Sequence, residues 1–367
     1  MKLNFITLRK IFKNLITPIW GFPVLWISYL IPRDKNKWLF GSDFGFADNP
    51  KYLSLEASKG SIRSIWIIKD KNKFKEVNNI ISDIYYIRSI LGIYHLLTSG
   101  VYLTSHDLHR SLSVWTVGRA RWVNLWHGVG IKTVKFKTKN SFFYKVNSHL
   151  LLKIVTYPFL YHLHRKPDLV LATSPLMNQH FKECFLVDDS KMISAGYPRN
   201  VSFFMEDDDL NNLISLYANA YQVELTSKIK EFKKVYMYMP TWRSDGEKLA
   251  AGDMLDLYRL NKLCCEEDSV FIIKSHRNST FAFEDKVYEN IINLNKDVDV
   301  YLLLPYVSVL ITDYSSIYYD FILMKDKNIL LYPYDYDDYI TNSRDLAFDF
   351  DEYTPGKRVY DFEQLLD

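Results

Sequence analysis

The sequence predicts an α/β fold made of βαβ units on parallel sheets, arranged as two domains. Three observations predict it. Short apolar β-type runs alternate with helical stretches along the chain, which is the pattern of parallel strands joined by crossover helices. Four of those runs end in clusters of cationic, imidazole or hydroxyl residues, and ligands of open α/β sheets sit at the carboxyl ends of strands. The alternation pauses at the acidic stretch from Glu206 and restarts at Val235, and 367 residues is enough for two cores.

Taken in order, residues 37–40 read as a first strand ending at the turn Gly41-Ser42. Residues 64–68, 84–86 and 101–104 read as the next three, with a helical stretch around 89–97. Residues 122–126 form a strand-like run that ends at His127-Gly128, with Lys132 close behind. Residues 141–166 are aromatic, basic and helical in spacing, broken at Pro158; an interfacial helix and a helix packed on the sheet are both open there. Strands at 169–173 and 192–195 follow, then the turn Gly196-Tyr197-Pro198-Arg199-Asn200. In the second half, residues 235–239 end at Pro240-Thr241-Trp242-Arg243, and 270–273 at Lys274-Ser275-His276-Arg277. Residues 308–311 end at Thr312-Asp313-Tyr314-Ser315-Ser316, before a helix expected over 317–324.

These clusters suit an anionic, phosphate-bearing substrate. An imidazole such as His127 titrates near neutrality and can accept a proton from a hydroxyl; a structural histidine holding a turn is the alternative. A guanidinium at Arg243 grips phosphate bidentately, although an ion pair would also use it. His276, beside Lys274 and Arg277, is a second titrating group at a strand end or part of a basic surface turn. The hydroxyls of Ser315 and Ser316 open a helix whose N–H groups bind phosphate, and N-capping by Asp313 or Ser315 is compatible with that. Asp337 lies among tyrosines where a polyol hydroxyl or a cation could be held, or where an acidic loop is merely solvated. Three scattered cysteines make no metal pattern, and there is no P-loop, GxGxxG or GxSxG. That argues against an NTPase, a dehydrogenase and an α/β-hydrolase. No cofactor or metal ligand set is expected; a divalent cation is left open.

The formal charge of +3 hides a division. Residues 1–166 carry 26 Lys/Arg against 8 Asp/Glu, and residues 167–367 carry 20 against 35. No acidic residue lies between Asp107 and Asp168. A basic half of this kind faces a polyanion such as anionic lipid, or is a solvated face. Residues 15–31 are uncharged, and Pro18, Gly21 and Pro23 interrupt them. At 17 residues the run is short of the ~20 a spanning helix needs. Arg9, Lys10, Lys13, Arg33, Lys35 and Lys37 flank it, which favours an interfacial anchor over a spanning or a buried helix.

Trp126-His127-Gly128 with Lys132, Gly196-Tyr197-Pro198-Arg199-Asn200, Pro240-Thr241-Trp242-Arg243 and Thr312-Asp313-Tyr314-Ser315-Ser316 together resemble the CDP-glycerol glycerophosphotransferase family. Trp38-Leu39-Phe40-Gly41-Ser42 and the tyrosine–aspartate run 334–339 with Arg344 extend the likeness over about residues 30–360. Arg277 and Asp345 depart from it, standing where the family often has Pro and Gly. The resemblance implies a GT-B architecture of two Rossmann-like domains facing across a cleft. The divisions it suggests are a membrane-associating segment at 1–35, an acceptor-side domain at 36–205 and a donor-binding domain at 206–367. It implies CDP-glycerol (sometimes CDP-ribitol) as donor and a lipid-linked teichoic-acid or capsular polymer as acceptor. It also implies peripheral attachment to the cytoplasmic face of an anionic membrane. His127 then matches the catalytic base, and Arg243, His276, Ser315 and Ser316 match the pyrophosphate-binding set, His276 being counted with His127 as catalytic. Lys132, Arg199, Thr241, Arg243, Lys274, Thr312, Asp313, Ser315, Ser316 and Asp337 are the substrate-binding candidates. A nucleotide-sugar transferase shares the fold, and a non-catalytic polyanion-binding protein shares the basic stretch. No nucleic-acid motif accompanies that stretch, so nucleic acid is not expected as a partner.

Overall fold

A computed structural model of the chain describes residues 5–130, 132–139, 141–241, 255–274, 288–337, 339 and 346–367. The chain forms two compact units. One is Met1–His127 with Val134–Arg199, and the other is Gly128–Thr133 with Asn200–Asp367. The division thus falls at Arg199, ahead of the acidic run. That run opens a helix of the second unit, Asp207–Tyr217. Asp207, Asp208 and Asp209 occupy its first turn, where negative charge meets the positive end of the helix dipole.

The first unit holds a seven-stranded parallel sheet in the order β3-β2-β1-β4-β5-β6-β7. Its strands are β1 Asp34–Gly41, β2 Arg63–Ile68, β3 Ile84–Tyr86, β4 Ser99–Thr104, β5 Arg121–Asn124, β6 Leu169–Ala172 and β7 Met192–Ser194. The second unit holds a six-stranded parallel sheet in the order β10-β9-β8-β11-β12-β13. Its strands are β8 Lys234–Met239, β9 Ser269–Ile273, β10 Ile291–Asn293, β11 Val309–Thr312, β12 Asn328–Leu331 and β13 Lys357–Arg358. In both units the chain winds outward from a central strand in one direction and then returns to its other side. That is the doubly wound order, and it places a switch point beside β1 and another beside β8. The β-type runs are continuously apolar because both faces of each sheet are covered. On β9, Val270 and Ile272 pack into one cluster with Met237 and Leu310, while Phe271 and Ile273 pack on the opposite face with Tyr238 and Tyr332.

The N-terminal segment is a 26-residue helix, Phe5–Leu30, with Pro18 and Pro23 inside it. Among the described residues no helix is long and apolar enough to cross a membrane. The spanning reading is therefore dropped. Pro18, Gly21, Leu25 and Ser28 recur at helical spacing and are buried. Beside them Phe22 meets Trp115 and Tyr161, with ring centroids 5.3 and 5.5 Å apart. The opposite face leaves Ile19, Trp20, Trp26, Ile27 and Leu30 exposed.

Two of the flanking cations are committed to the fold. Arg33 donates to the carbonyls of Ser28, Leu96, Ser99 and Thr116, and Lys37 is buried and donates to Thr98 Oγ1. The expected helix over 141–166 is three short ones, Phe142–Ser148, Leu150–Thr156 and Tyr161–His164. It breaks first at His149, whose backbone is extended.

Candidate active site

His127 stands just beyond the carboxyl end of β5. Asn124 closes that strand, and its side-chain oxygen accepts the N–H of Trp126 at 2.9 Å. Trp126 adopts a φ of 53°. A bulky residue enters the left-handed region only when its surroundings hold it there. The indole is buried against Phe181 and Phe185 (centroids 5.9 and 5.0 Å), and Asn49 Nδ2 donates to the Trp126 carbonyl at 2.8 Å. This turn swings His127 back across the end of β4, where its Nδ1 lies 2.8 Å from the Ser105 carbonyl. A carbonyl only accepts, so Nδ1 carries the proton in the neutral ring and Nε2 is the basic nitrogen. Burial pushes the His127 pKa below its usual value, opposed mainly by the nearby Asp48 carboxylate. The imidazole is therefore neutral at pH 7 and able to take a proton.

Two further residues complete this corner. His106 stacks on His127, with centroids 4.3 Å apart and planes at 6°. It is buried, and burial holds its pKa well below the usual histidine range, with His127 adding to the effect. Arg199 donates to Asp48 Oδ1 at 2.8 Å and to the His127 carbonyl at 3.0 Å, and its own N–H reaches Asn49 Oδ1 at 3.2 Å. Both side chains of the Arg199–Asp48 pair are buried. Arg199, expected to bind substrate, thus braces the backbone that carries His127.

In the second unit the switch point lies between the ends of β8 and β11. Thr312 Oγ1 donates to the Met239 carbonyl at 2.7 Å, and Asp313 Oδ1 accepts the Thr241 N–H at 2.8 Å. Thr312 and Asp313 are both buried. These two expected substrate ligands, with the Thr241 backbone, stitch the strand ends together. Ser315 and Ser316 are partly exposed directly after them. The helix they open is shorter than expected, Ile317–Phe321.

Tyr314 stacks on Tyr339 at 3.7 Å, and Lys132 Nζ lies 5.3 Å from the Tyr339 ring centroid. A bridge between Lys132 and Leu346 holds the lysine in this second unit. Lys132, Tyr314 and Tyr339 thus form one cluster, next in sequence to the serines. Lys274 Nζ donates to the Asn295 carbonyl at 2.8 Å, at the end of β9. Asp337 is exposed. Arg243, His276 and Arg344 lie outside the described residues.

Sequence reading missed His106 and the bracing role of Arg199. Thr104-Ser105-His106 ends β4 in the same way that the four singled-out clusters end their strands, so the signal was present. Nothing in the sequence distinguishes a buried arginine from a substrate-facing one.

The sequence profile of the family described as CDP-Glycerol:Poly(glycerophosphate) glycerophosphotransferase matches residues 24–367. The chain is 26% identical to the teichoic acid poly(glycerol phosphate) polymerase of Bacillus spizizenii, over 97% of this chain and 88% of that protein. It is equally 26% identical to the teichoic acid ribitol-phosphate primase of the same organism, over 77% and 69%. Its fold matches a solved structure of the wall teichoic acid polymerase TagF with a TM-score of 0.70 at 20% identity, over 100% of this chain and 88% of that one.

Proposed function

The chain belongs to the CDP-glycerol:poly(glycerophosphate) glycerophosphotransferase family, and from that premise we propose that it transfers glycerol phosphate from CDP-glycerol to a hydroxyl of a lipid-linked teichoic-acid or capsular-polymer acceptor. The acceptor oxygen attacks the β-phosphorus, a new P–O bond forms, and the P–O bond to CMP breaks. His127 Nε2 takes the acceptor proton. Ser315, Ser316 and Lys132 meet the pyrophosphate, joined by Arg243 and His276, and stabilise the charge that moves onto CMP. The observation that carries the reading is the hydrogen bond from His127 Nδ1 to the Ser105 carbonyl, which leaves a neutral imidazole with its basic nitrogen available.

CDP-ribitol is the alternative donor, and equal identity to a glycerol-phosphate polymerase and a ribitol-phosphate primase favours neither. The enzyme would work from the cytoplasmic membrane face as a peripheral protein. Support comes from the exposed apolar face of helix Phe5–Leu30 and from Leu150, Leu151, Ile154 and Val155, exposed on helix Leu150–Thr156. The test is release of CMP from CDP-glycerol with a defined lipid-linked acceptor, with product mass read in parallel for CDP-ribitol and nucleotide sugars. Product from a nucleotide sugar alone would overturn the reading.

A further inference from the structure

A cleft of about 570 Å³ opens in the first unit. That volume is within the range of small-ligand sites. Arg121 begins β5, Asp168 directly precedes β6, and Lys191 directly precedes β7. All three strands are parallel, so the cleft lies at the amino edge of the sheet. His127 lies at the opposite, carboxyl edge.

The lining is cationic. Arg119, Arg121, Arg165, Lys166 and Lys191 face a single carboxylate, Asp168. Asp168 is already taken by Arg165 at 2.7 Å and by the Trp122 N–H at 2.8 Å. Arg119, Arg121 and Lys191 form no ion pair among the described residues. Lys166 is pushed down in pKa by burial and by the charges of Lys153 and Lys191. A bound anion would relieve that repulsion.

The surroundings identify the anion's carrier. Tyr29 reaches the cleft from the end of the long helix whose outer face exposes Trp26, Ile27 and Leu30. Tyr157 reaches it from just beyond the helix that exposes Leu151, Ile154 and Val155. A cluster of arginines and lysines between two apolar helix ends, with tyrosines at the margin, has the chemistry of a membrane–water interface. We propose that this cleft binds the phosphate of an anionic phospholipid headgroup, a second anion site separate from the catalytic one. The proposal rests on the membrane-face reading above and names the element of the surface that selects the lipid.

The experiment uses the full chain with vesicles of phosphatidylglycerol mixed into phosphatidylcholine, and of phosphatidylcholine alone. The variant R119Q/R121Q/K191Q removes three of the cleft's five Arg/Lys charges, and K59Q/K71Q/K75Q removes three other lysines outside it. The cleft variant is expected to lose its preference for phosphatidylglycerol by roughly tenfold or more, while the control keeps it. Equal loss in both variants would mean diffuse charge and overturn the site. Calorimetric titration with soluble dihexanoyl phosphatidylglycerol, beside inorganic phosphate, gives the second arm. Saturable binding of the lipid that the cleft variant abolishes is expected. Phosphate binding as tightly as the lipid, or the lipid binding equally to wild type and cleft variant, would overturn the headgroup assignment. If the wild type binds neither vesicle the membrane reading fails, and the soluble titration still decides the cleft.

Discussion

The imidazoles of His106 and His127 lie face to face, 4.3 Å between centroids and 6° between planes. The buried ring of His106 is held neutral, so it offers His127 an uncharged wall. With Nδ1 fixed on the Ser105 carbonyl, His127 has one orientation in which to act as a base.

The rate should therefore be level around neutrality and fall on acidification, with an apparent pKa below 6.5 as Nε2 takes up a proton. Asp48 favours the imidazolium, so Asp48→Asn should move the acid limb to lower pH. His127→Asn should lower kcat about 10²- to 10⁴-fold. The measurement is kcat/KM for CMP release between pH 5 and 8.5. An acid limb above 6.5 would assign the base to another group.

The Asp48–Arg199 pair bears on stability. Removing one partner of a buried ion pair leaves the other charge uncompensated and costs about 3–5 kcal/mol. Arg199→Met should thus lower the melting temperature of the first unit by on the order of 10 °C. The double variant Asp48→Leu with Arg199→Met should recover part of that loss, because no unpaired charge remains. Thermal melts of the wild type, Arg199→Met, Asp48→Leu and the double variant form the cycle. A double variant as unstable as the sum of the singles would mean the two residues act separately.

Most of the sheet architecture was legible because a strand covered on both faces must be a continuous apolar run. β2, β4, β5, β8 and β9 read that way, and β1 does from Trp38 onward. β13 escaped because the two residues Lys357-Arg358 are too few and too polar to show a pattern, β10 because Ile291-Ile292 is a two-residue apolar run between Asn290 and Asn293, and β12 because it begins with exposed Asn328. The strand ends of the site were legible for the same reason as the strands. Side-chain direction was not. Thr312 and Asp313 are substrate-binding candidates in sequence, and the pairing of β11 with β8 adds that Thr312 Oγ1 and Asp313 Oδ1 also hold the strand ends together. Lys135 and Lys137 lie in the acid-free stretch between Asp107 and Asp168 that reads as facing a polyanion, yet they pair with Asp107 and Glu183.

Buried His95 and His106 and half-buried His109 should make the first unit acid-labile. His95 is held at about 4 and His109 at about 3, chiefly by burial, and His106 is also depressed. These rings stay neutral in the folded unit as pH falls, while the unfolded chain binds protons near 6.5. Stability is then fully present above 6.5 and declines below it. At pH 5 each such ring costs on the order of 2 kcal/mol. Melting temperatures at pH 7 and pH 5 should differ, and His95→Asn should narrow the gap. A gap of the same size in the variant would remove His95 from the account.

At the switch point of the second unit, Asp313→Ala leaves the half-buried Thr241 N–H without its acceptor, a loss of about 1–2 kcal/mol. Thr312→Val keeps the shape and loses one neutral hydrogen bond, about 1 kcal/mol. Asp313→Ala should therefore be the more damaging, both in melting temperature and in the KM for the nucleotide donor. The reverse order would mean that the Asp313 carboxylate does not pin the β8 end.

Gly21 sets how closely the N-terminal helix approaches the first unit. A Cβ built there would lie 2.4 Å from the Trp115 ring, and Trp115 is itself wedged against Phe22 and Tyr161. Two effects of Gly21→Ala oppose each other. Alanine gains about 1 kcal/mol of helix propensity. Overpacking against a rigid ring costs about 1–3 kcal/mol, and no flexible side-chain end is available to yield. The steric effect should win, so the variant should melt lower and the segment should become more open to proteolysis. A variant more stable than wild type would mean that the helix does not rest on Trp115 in solution. If it behaves as expected, vesicle binding should also weaken, since Trp20 and Trp26 keep their common outward face only while the inner face is seated.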